Sequence, residues 1–392
     1  MHLRIRDDLD EGTMEIPPGA AEGYTIPAEL PYRICAGGSD LRIGPVIAVV
    51  VRGAHLSPRR LRRWEKYCKD YPQIGGLLVF CIADGIDAER RLIRGFAYRP
   101  HAAPRWVPGV YPFPDAMYRM ARMKKRLLIQ LQTALPGKLF NARRFTKWEM
   151  WETLSRAGFS RLPHTERLTG LPVLERMVRT HNSVYIKPID GLFGNRIFRL
   201  VPGAGGYVLK DGKGKTAAAG SLEEVFRKFC EGRNPEDYLV QRDVSRYVEN
   251  KLVDFRVIVQ KDGRGKWTCP GMIARTGQKE GIITNTVSDL CFASEALRGL
   301  FGFAGSKAER IEREIRRMCI EAAAHMEQAY GTYGDLGMDV ALDPQDRLWL
   351  LEINIFHQHN LANDLEGGAE MYRRVTANPL LFANYLSGFG RA

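Results

Sequence analysis

Residues 337–354 read GMDVALDPQDRLWLLEIN, and this stretch predicts two strands joined by a tight turn. Apolar and polar residues alternate in its first part, as in a strand with one buried face. Proline and acidic residues form the turn near Gln345, and a more apolar strand follows. Glu352 and Asn354 share a face because they are two residues apart, and pairing about the turn places Asp339 opposite Glu352. This interpretation brings two carboxylates and one amide oxygen together.

This trio of oxygen-bearing side chains suits Mg²⁺, a hard cation that prefers oxygen ligands and completes its shell with water and phosphate. The same pattern also fits an exposed hairpin that carries scattered acids. The choice between the two interpretations depends on what the rest of the chain supplies.

The composition is that of an ordinary globular protein. The chain has 392 residues, of which 45% are hydrophobic and 26% charged, and its length predicts two or three domains. It has no apolar run near the roughly 18 residues that span a bilayer, and its first residues lack the apolar segment of a secretion signal. Seven widely spaced cysteines without a CxxC pair predict reduced thiols. We therefore expect a cytoplasmic protein without a membrane partner.

The net charge of +13 and the pI near 9.4 raise the question of nucleic-acid binding. The basic residues form three clusters, at Arg59, Arg60, Arg62 and Arg63, at 119–126, and at Arg143 and Arg144. Solvated surfaces and the attraction of phosphate-bearing small molecules explain such clusters equally well. The chain shows no aromatic-interleaved RNA motif and no recognition-helix pattern, which disfavours a nucleic-acid partner.

The chain divides by composition into three parts. Residues 1–40 are rich in Gly, Pro and acids and predict a poorly ordered arm. Residues 41–135 contain two buried strands, GPVIAVVV and GGLLVFCIADGI, separated by a helix that starts at Ser57 and Pro58, which predicts a small α/β domain with a parallel sheet. After Pro136 the pattern is α+β and mainly antiparallel over 136–392, with lobes at about 145–240 and 241–392.

A lysine and two glycines follow a strand in the first lobe. Lys187 ends the apolar strand VYIK, and Gly191 and Gly194 form a turn before the next strand, IFRLV. Backbone N–H groups in such a turn can face phosphate oxygens, and the lysine adds a point charge. No Walker loop or dinucleotide fingerprint is present. An ordinary β-hairpin has the same pattern.

Polar residues on later strands extend this series. Gln241 closes the strand YLVQ, Asp254 and Arg256 share a face of DFRVIV, and Arg275 ends GMIAR. Two arginines on neighbouring strands can stabilise charge on a transferred phosphoryl group. Taken as isolated residues, the arginines are more typical of surface salt-bridge partners.

The order of these features resembles the ATP-grasp superfamily, in which two α+β lobes clamp ATP, and the resemblance covers roughly 145–354. The hairpin is similar to the metal-binding hairpin of its carboxylate–amine ligases. A closer resemblance is to the YheC/YheD-type family of endospore coat-associated proteins. The shared motifs are PDAMYRM, LFNARRFTKW, LPHT, KPIDGLFGNRI, DFRVIVQKDGRGKW, ARTG followed by ITN, and GMDVALD followed by LWLLEIN.

The resemblance implies an ATP site with two groups of contacts. The phosphates would contact Lys147 and Lys187 under a lid that contains Gly191 and Gly194. The adenosine part would contact Gln241 and the backbone through Val244, Leu351 on the ring face, and Asp254 near the ribose.

The resemblance also implies the reacting centre. Arg256 and Arg275 would bind the γ-phosphate and an acyl-phosphate intermediate, and Asn285 would lie near the substrate. Asp339, Glu352 and Asn354 would hold Mg²⁺ between the phosphates.

Two segments depart from the resembling family beside the substrate position. IFHQHN, residues 355–360, replaces a short Pro-Gly loop, and VSD, residues 287–289, replaces paired glycines. His357 and His359 in the first segment either contact substrate or are solvated loop side chains. These departures concern the acceptor and leave the expected nucleotide site intact.

The resemblance implies an ATP- and Mg²⁺-dependent ligase that joins a carboxylate to an amine through an acyl-phosphate. The partners expected are ATP and a small-molecule or peptide substrate, with a possible association with the spore coat. Two other functions stay open, a structural coat protein with little or no catalysis and a basic nucleic-acid-binding protein.

Overall fold

A short hairpin precedes the main sheets. The computed structural model describes residues 19, 21–37, 40–191 and 196–390. Strand β1 (Arg33–Gly37) pairs antiparallel with β2 (Asp40–Gly44). The end of the segment expected to be a poorly ordered arm therefore forms a strand, whereas residues 1–18 and 20 lie outside the described residues.

The first main sheet combines parallel and antiparallel strands. Its described strands are β3 (Val46–Val50), β4 (Leu77–Cys81), β5 (Ile86–Asp87), β6 (Leu92–Tyr98), β7 (Trp106–Pro112), β8 (Ala116–Arg119) and β9 (Leu139–Phe140). Their order is β5-β6-β4-β3-β8-β9, and β7 pairs with β6. The expected parallel arrangement holds for β4, β3, β8 and β9, and β5, β6 and β7 extend the sheet antiparallel.

The segments around this sheet follow local sequence signals. Every residue of β3 and β4 is buried, as their continuous apolar runs predict. The helix expected after Ser57 is short. The Ser57 hydroxyl caps α1 (Pro58–Leu61), a 3₁₀ turn follows, and α2 (Tyr71–Ile74) ends before β4. Helix α3 (Lys125–Ala134) precedes β9.

The second sheet is antiparallel and has its own hydrophobic core. Its described strands are β10 (Thr165–Arg167), β11 (Val184–Pro188), β12 (Phe198–Gly203), β13 (Gly206–Asp211), β14 (Thr216–Ala219) and β15 (Tyr238–Arg242), in the order β10-β15-β11-β12-β13-β14. Helix α4 (Lys147–Arg156) precedes it, and α5 (Leu171–His181) and α6 (Leu222–Cys230) pack on it.

The third sheet carries the hairpin from which the sequence analysis started. Its described strands are β16 (Tyr247–Val248), β17 (Lys251–Lys261), β18 (Trp267–Lys279), β19 (Val287–Phe292), β20 (Asp335–Leu342) and β21 (Leu348–Asn354). The order is β19-β18-β17-β20-β21, with β16 paired to β17. Helices α7 (Ala293–Gly299) and α8 (Gly305–Tyr330) share the core of this sheet, and α9 (Ala369–Ser387) follows it.

The packing of α9 and the hydrogen bonds of Asn141 are among the contacts that join the first sheet to the third. Leu380, Phe382 and Ala383 of α9 belong to the hydrophobic core of the first sheet. Asn141, which follows β9, donates its side-chain amide to the backbone oxygens of Asp335 and Ile355, at 2.6 and 3.3 Å. The division at residue 136 stays a prediction, and elements beyond it complete the core of the first sheet. None of the described helices is long and apolar enough to cross a membrane.

Candidate functional site

The β20–β21 hairpin places its acids as the sequence predicts. Asp339 pairs directly with Glu352, and Gly337 with Asn354. Asp343 forms the turn by accepting hydrogen bonds from the backbone N–H groups of Gln345 and Arg347, both at 2.9 Å. Every residue of β20 is buried. The alternative of an exposed hairpin is therefore wrong.

Two arginines lie against Asp339 from neighbouring strands. Arg256 Nε donates to Asp339 Oδ1 at 2.7 Å, and Arg275 Nη2 lies 3.2 Å from the same oxygen. Arg275 also donates to both oxygens of Asp254, at 2.8 and 2.7 Å. All four side chains are buried, because β17 lies between β18 and β20 in the sheet. The alternative of surface salt bridges is therefore wrong for both arginines.

The charges of this cluster stabilise one another. Burial alone would raise the pKa of Asp339, but the guanidiniums of Arg256 and Arg275 hold that pKa below its usual value. Burial alone would lower the pKa of Arg275, and Asp254 and Asp339 raise it instead. Both Asp339 and Arg275 are therefore charged at neutral pH, and neither can lose its partner without leaving a buried charge.

A cleft of about 720 Å³, open to solvent, lies between the second and third sheets above this cluster. It brings together many of the predicted site residues: Lys147, Lys187, Gln241, Val244, Asp254, Asn285, Asp339, Leu351 and Glu352. Arg256 and Arg275 lie behind its floor, where they contact Asp339. Lysines and carboxylates far apart in sequence therefore meet around one open space.

A second cleft, of about 470 Å³, adjoins the first. Lys147 and Glu352 line both clefts, and Gly191 and Asn354 line the second. Asn354 is therefore close to Glu352 but faces the second cleft. Gly194, the other predicted lid glycine, lies outside the described residues.

Lys147 connects the glycine turn to the hairpin. Its Nζ donates to the backbone oxygen of Gly191 at 3.0 Å and lies 3.1 Å from Glu352 Oε1. Lys147 is the first residue of α4, and a capping box between Thr146 and Glu149 fixes that helix end. The cap therefore fixes the backbone from which Lys147 reaches both partners.

We expect Thr146→Ala to lower the free energy of unfolding by about 1 kcal/mol, because the N–H of Glu149 loses its capping oxygen. Urea unfolding of the two proteins measures the difference. Ser221→Ala, which removes the cap of α6 away from the clefts, is the matched control. A role for the cap in the site requires that only the Thr146 variant also weakens ligand binding in the clefts, and equal binding by the two variants would contradict it.

Lys187 is held within the first cleft by a chain of side-chain hydrogen bonds. Its Nζ donates to Gln241 Oε1 at 2.6 Å, and Gln241 Nε2 donates to Thr165 Oγ1 at 3.0 Å. The three residues belong to β11, β15 and β10, which are adjacent in the second sheet. Burial lowers the pKa of Lys187 to about 8, although Glu352 acts to raise it. Gln241 thus contacts a lysine as well as the cleft.

Several residues of the first cleft are not among those that the sequence predicts, and Thr284 and Tyr185 are the two with notable hydrogen bonds. Thr284 donates to Asp254 Oδ2 at 2.5 Å, and Tyr185 donates to the backbone oxygen of Ile282 at 3.0 Å. Both line the first cleft. Thr284 lies within the ITN motif, directly before the predicted site residue Asn285, so the motif also points to Thr284. Tyr185 belongs to no recognised motif, and the sequence around it predicts an ordinary buried residue of a strand.

Both expectations for the histidines of IFHQHN are wrong. The side chains of His357 and His359 are 0% and 1% exposed, so they are not solvated. Each Nε2 contacts the carboxylate of Asp335, and neither ring lines the two clefts. The loop turns its histidines inward because Asp335 and the first sheet offer polar partners there.

The basic clusters differ in exposure. Arg59, Arg60, Arg62 and Arg63 are exposed. Arg119 is buried and donates to the backbone oxygens of Ala121, Asn141 and Ala142. The positive charge of Arg119 therefore binds backbone oxygens inside the protein and is not available to a polyanion at the surface.

The sequence model of one family, described as YheC/D-like ATP-grasp, matches residues 137–386, which is more than half of the chain. The chain belongs to this family. Among curated proteins, the endospore coat-associated protein YheD of Bacillus subtilis (strain 168) is 27% identical over 383 residues, covering 90% of this chain and 81% of YheD. YheC of the same organism is 23% identical over 199 residues, covering 49% of this chain and 54% of YheC.

The architecture is that of the ATP-grasp fold, with two α+β parts around the cleft. The biotin carboxylase–βγ-ATP complex of Campylobacter jejuni is 12% identical, with a TM-score of 0.48, over 85% of this chain and 71% of that chain. This likeness is too loose to say anything about substrate. The proposed function rests on membership of the YheC/D-like family and on the residues around the clefts.

Proposed function

We propose that this YheC/D-like ATP-grasp protein is an ATP- and Mg²⁺-dependent ligase that joins a carboxylate to an amine. A substrate carboxylate oxygen attacks the γ-phosphorus of ATP, the bond to the β,γ-bridging oxygen breaks, and ADP leaves. The amine nitrogen then attacks the acyl carbon of the acyl-phosphate, the bond to phosphate breaks, and the amine loses a proton. No covalent bond to the protein is required.

One observation carries this proposal, the meeting of Lys147 and Lys187 with Asp339 and Glu352 around one cleft in an ATP-grasp fold. Two ammonium groups suit a polyphosphate as point charges. Two carboxylates beside them would repel a polyphosphate unless a cation lies between. The donor set therefore supports a metal–nucleotide complex better than a bare anion.

The residues at the hairpin fit Mg²⁺ by the chemistry of their donors. Asp339 and Glu352 offer carboxylate oxygens at paired positions, and Asn354 offers an amide oxygen on the adjoining cleft wall. Asp339 Oδ2 receives only a long contact of 3.5 Å from Arg256 and so keeps lone pairs for a ligand. These three residues would hold the ion, which when bound neutralises phosphate charge.

Other residues of the cleft have separate roles in nucleotide binding and in the orientation of Asp339. Lys147 and Lys187 bind the phosphates, and Gln241, Val244, Leu351 and Asp254 line the space for the nucleoside. Arg256 and Arg275 keep Asp339 ionised and oriented through their hydrogen bonds. Their expected contact with the γ-phosphate, and that of Asn285 with substrate, stay predictions.

We expect the dissociation constant of MgATP to rise as the pH is increased above about 8, the pKa to which burial lowers Lys187. Below that pH the amine is charged and attracts phosphate, and above it the amine is neutral. The rise should approach about tenfold per pH unit, because binding then takes up one proton. Calorimetric titrations between pH 7 and 10 measure it. Lys187→Arg keeps its charge and should flatten the profile, so an unchanged slope in that variant would assign the effect to another group.

The experiment for the proposed function measures ADP release from MgATP with amino acids, peptides and cell-wall precursors as candidate substrates. Release that depends on a carboxylate and an amine together, and that is lost in Glu352→Gln, supports the ligase. A rise in melting temperature with MgATP, absent in Glu352→Gln, tests the site before a substrate is known. If MgATP causes no rise in the unsubstituted protein, the proposal fails.

The relative YheD supports a second proposal, association with the spore coat, because its printed name describes it so. A coat protein without catalysis would not need the paired cations and carboxylates in the cleft. Co-fractionation of the chain with spore coats, compared between the unsubstituted protein and Glu352→Gln, separates the two functions. Equal coat recovery together with loss of ADP release would assign both to one chain.

A further inference from the structure

A buried polar cluster lies away from the nucleotide cleft, where the first and third sheets meet. Its centre is Asp335, the first residue of β20, and His357 and His359 reach it from the IFHQHN loop. The three side chains are 4%, 0% and 1% exposed. The proposed ligase makes no use of any of them.

The ligand atoms of this cluster have the spacing of a metal site. His357 Nε2 lies 2.9 Å from Asp335 Oδ1, and His359 Nε2 lies 3.2 and 3.0 Å from Oδ1 and Oδ2. One atom from each residue lies within 4.8 Å of the others. Metal–ligand bonds of about 2.1 Å at roughly right-angled to tetrahedral openings separate ligand atoms by about 3.0–3.4 Å. The nitrogen–oxygen distances in the cluster therefore match the ligand spacing around one bound ion.

Surrounding side chains orient Asp335 and His359, whereas the buried Nδ1 of His357 has no hydrogen-bond partner among the described residues. Tyr67 OH lies 2.6 Å from His359 Nδ1, on the ring edge opposite to Nε2. Gln260 Nε2 donates to Asp335 Oδ1 at 2.7 Å, and Tyr118 OH donates to Oδ2. Partners on the outer side of histidine and carboxylate ligands fix tautomer and orientation at metal centres. When Nε2 of His359 binds an ion, its remaining proton lies on Nδ1 and is donated to the Tyr67 oxygen.

The charge of Asp335 distinguishes this cluster from the arginine cluster under the cleft. Asp339 contacts two guanidiniums, whereas no Lys or Arg among the described residues bonds to the side chain of Asp335. A buried carboxylate without a cation is costly. A divalent ion supplies the missing positive charge, and two imidazole nitrogens favour a transition metal over Mg²⁺.

We propose that Asp335, His357 and His359 bind one divalent first-row transition metal ion of the Zn²⁺ class. The ion ties the IFHQHN loop and β20 to Tyr118 of β8 and to Tyr67, which precedes α2. Its burial makes it structural, since neither nucleotide cleft reaches it. This inference is independent of the ligase function, because it uses other residues and its test contains no ATP.

The competing explanation is a lock made of hydrogen bonds alone. The same nitrogen–oxygen distances suit hydrogen bonds from Nε2–H to the carboxylate. A second histidine pair, His164 and His181, lies on the surface with ring nitrogens 2.7 Å apart, and it could bind added zinc nonspecifically. The experiment has to separate both possibilities from the proposed site.

The test uses the full chain without a histidine tag, stripped with a chelator and then titrated with ZnCl₂ or CoCl₂. After gel filtration we expect close to one ion per chain in the unsubstituted protein and in the surface control H164Q/H181Q. We expect none in H357Q/H359Q, and a higher melting temperature with zinc in the first two proteins only. X-ray absorption of zinc-loaded H164Q/H181Q should show two imidazole ligands, which needs no substitution in the cluster and so does not depend on how H357Q/H359Q folds.

Two results would overturn the proposal. One is a stripped protein that retains no more zinc or cobalt than H357Q/H359Q and melts at the same temperature with and without zinc, which would leave the hydrogen-bonded lock. The other is zinc retained in H164Q/H181Q with no imidazole scattering, which would place the ion elsewhere on the chain.

Discussion

Asp339→Asn should lower the free energy of unfolding by about 3–5 kcal/mol, because it leaves Arg256 and Arg275 buried beside a neutral amide. Asparagine keeps the volume of the side chain, so packing contributes little to the loss. Arg275 keeps its two hydrogen bonds to Asp254, and the penalty therefore falls mainly on Arg256. Urea unfolding at pH 7 measures the change, and the same variant should lose the stabilisation by MgATP.

Glu352→Gln is the matched control for this prediction. The Glu352 side chain is 26% exposed and, within the described part of the chain, forms an ion pair with Lys147 alone, so its loss should change stability by less than about 1 kcal/mol. The response to MgATP should nevertheless disappear, because both carboxylates are proposed to hold the ion. Equal loss of stability in the two variants would show that the buried arginines do not depend on Asp339, and an intact MgATP response in Glu352→Gln would remove the hairpin from the site.

Lys187→Met should weaken MgATP binding about 10–100-fold, the expected loss of one hydrogen bond to a charged group. Its effect on folding should be opposite to that of Asp339→Asn. Burial already disfavours the charged form of Lys187 and lowers its pKa to about 8, so an apolar side chain removes a cost at neutral pH. Calorimetry with MgATP and urea unfolding without it provide the two measurements.

Lys210→Met is the control for this second prediction, because Lys210 lies on β13 of the same sheet, is half-buried, lies outside the lining of both clefts and donates to the backbone oxygen of Glu280. It should leave MgATP binding unchanged. If Lys187→Met lost binding and stability together, the lysine would be a structural residue and its assignment to the phosphates would fail. If both lysine variants bound MgATP equally well, the phosphates would lie elsewhere in the cleft.

The sequence predicted the parts of the site that depend on local structure. Asp339 and Glu352 belong to one hairpin, and side-chain alternation together with the turn at Asp343 fixes their pairing. Thr146 and Glu149, which cap the helix that Lys147 begins, have the spacing of a capping box, and this signal is also local. These signals act within a few residues, so one sequence is enough to read them.

The contacts that the sequence could not provide join residues far apart in the chain. Arg256 and Asp339 are separated by 83 residues, and nothing in either segment shows that β17 lies beside β20. Surface salt bridges were therefore the more typical interpretation of the arginines taken as isolated residues. Tyr67 and His359 are 292 residues apart, and the loop that contains the histidine reads as polar and exposed.

By itself, the sequence determined the strand pairing of residues 337–354, the order of cationic and carboxylate residues, and through motifs the expectation of an ATP-grasp fold. Periodicity, turn residues and helix caps depend on residues close together in the chain, so they can be recognised from the sequence without a structure. Only the tertiary structure decided which charges are buried and with which partners. Two arginines contact Asp339 in the interior, and His357 and His359 point toward Asp335. Lys147 and Lys187 face the cleft. The physical reason is that sheet packing determines the solvent exposure of each charge, and exposure determines what that charge can bind.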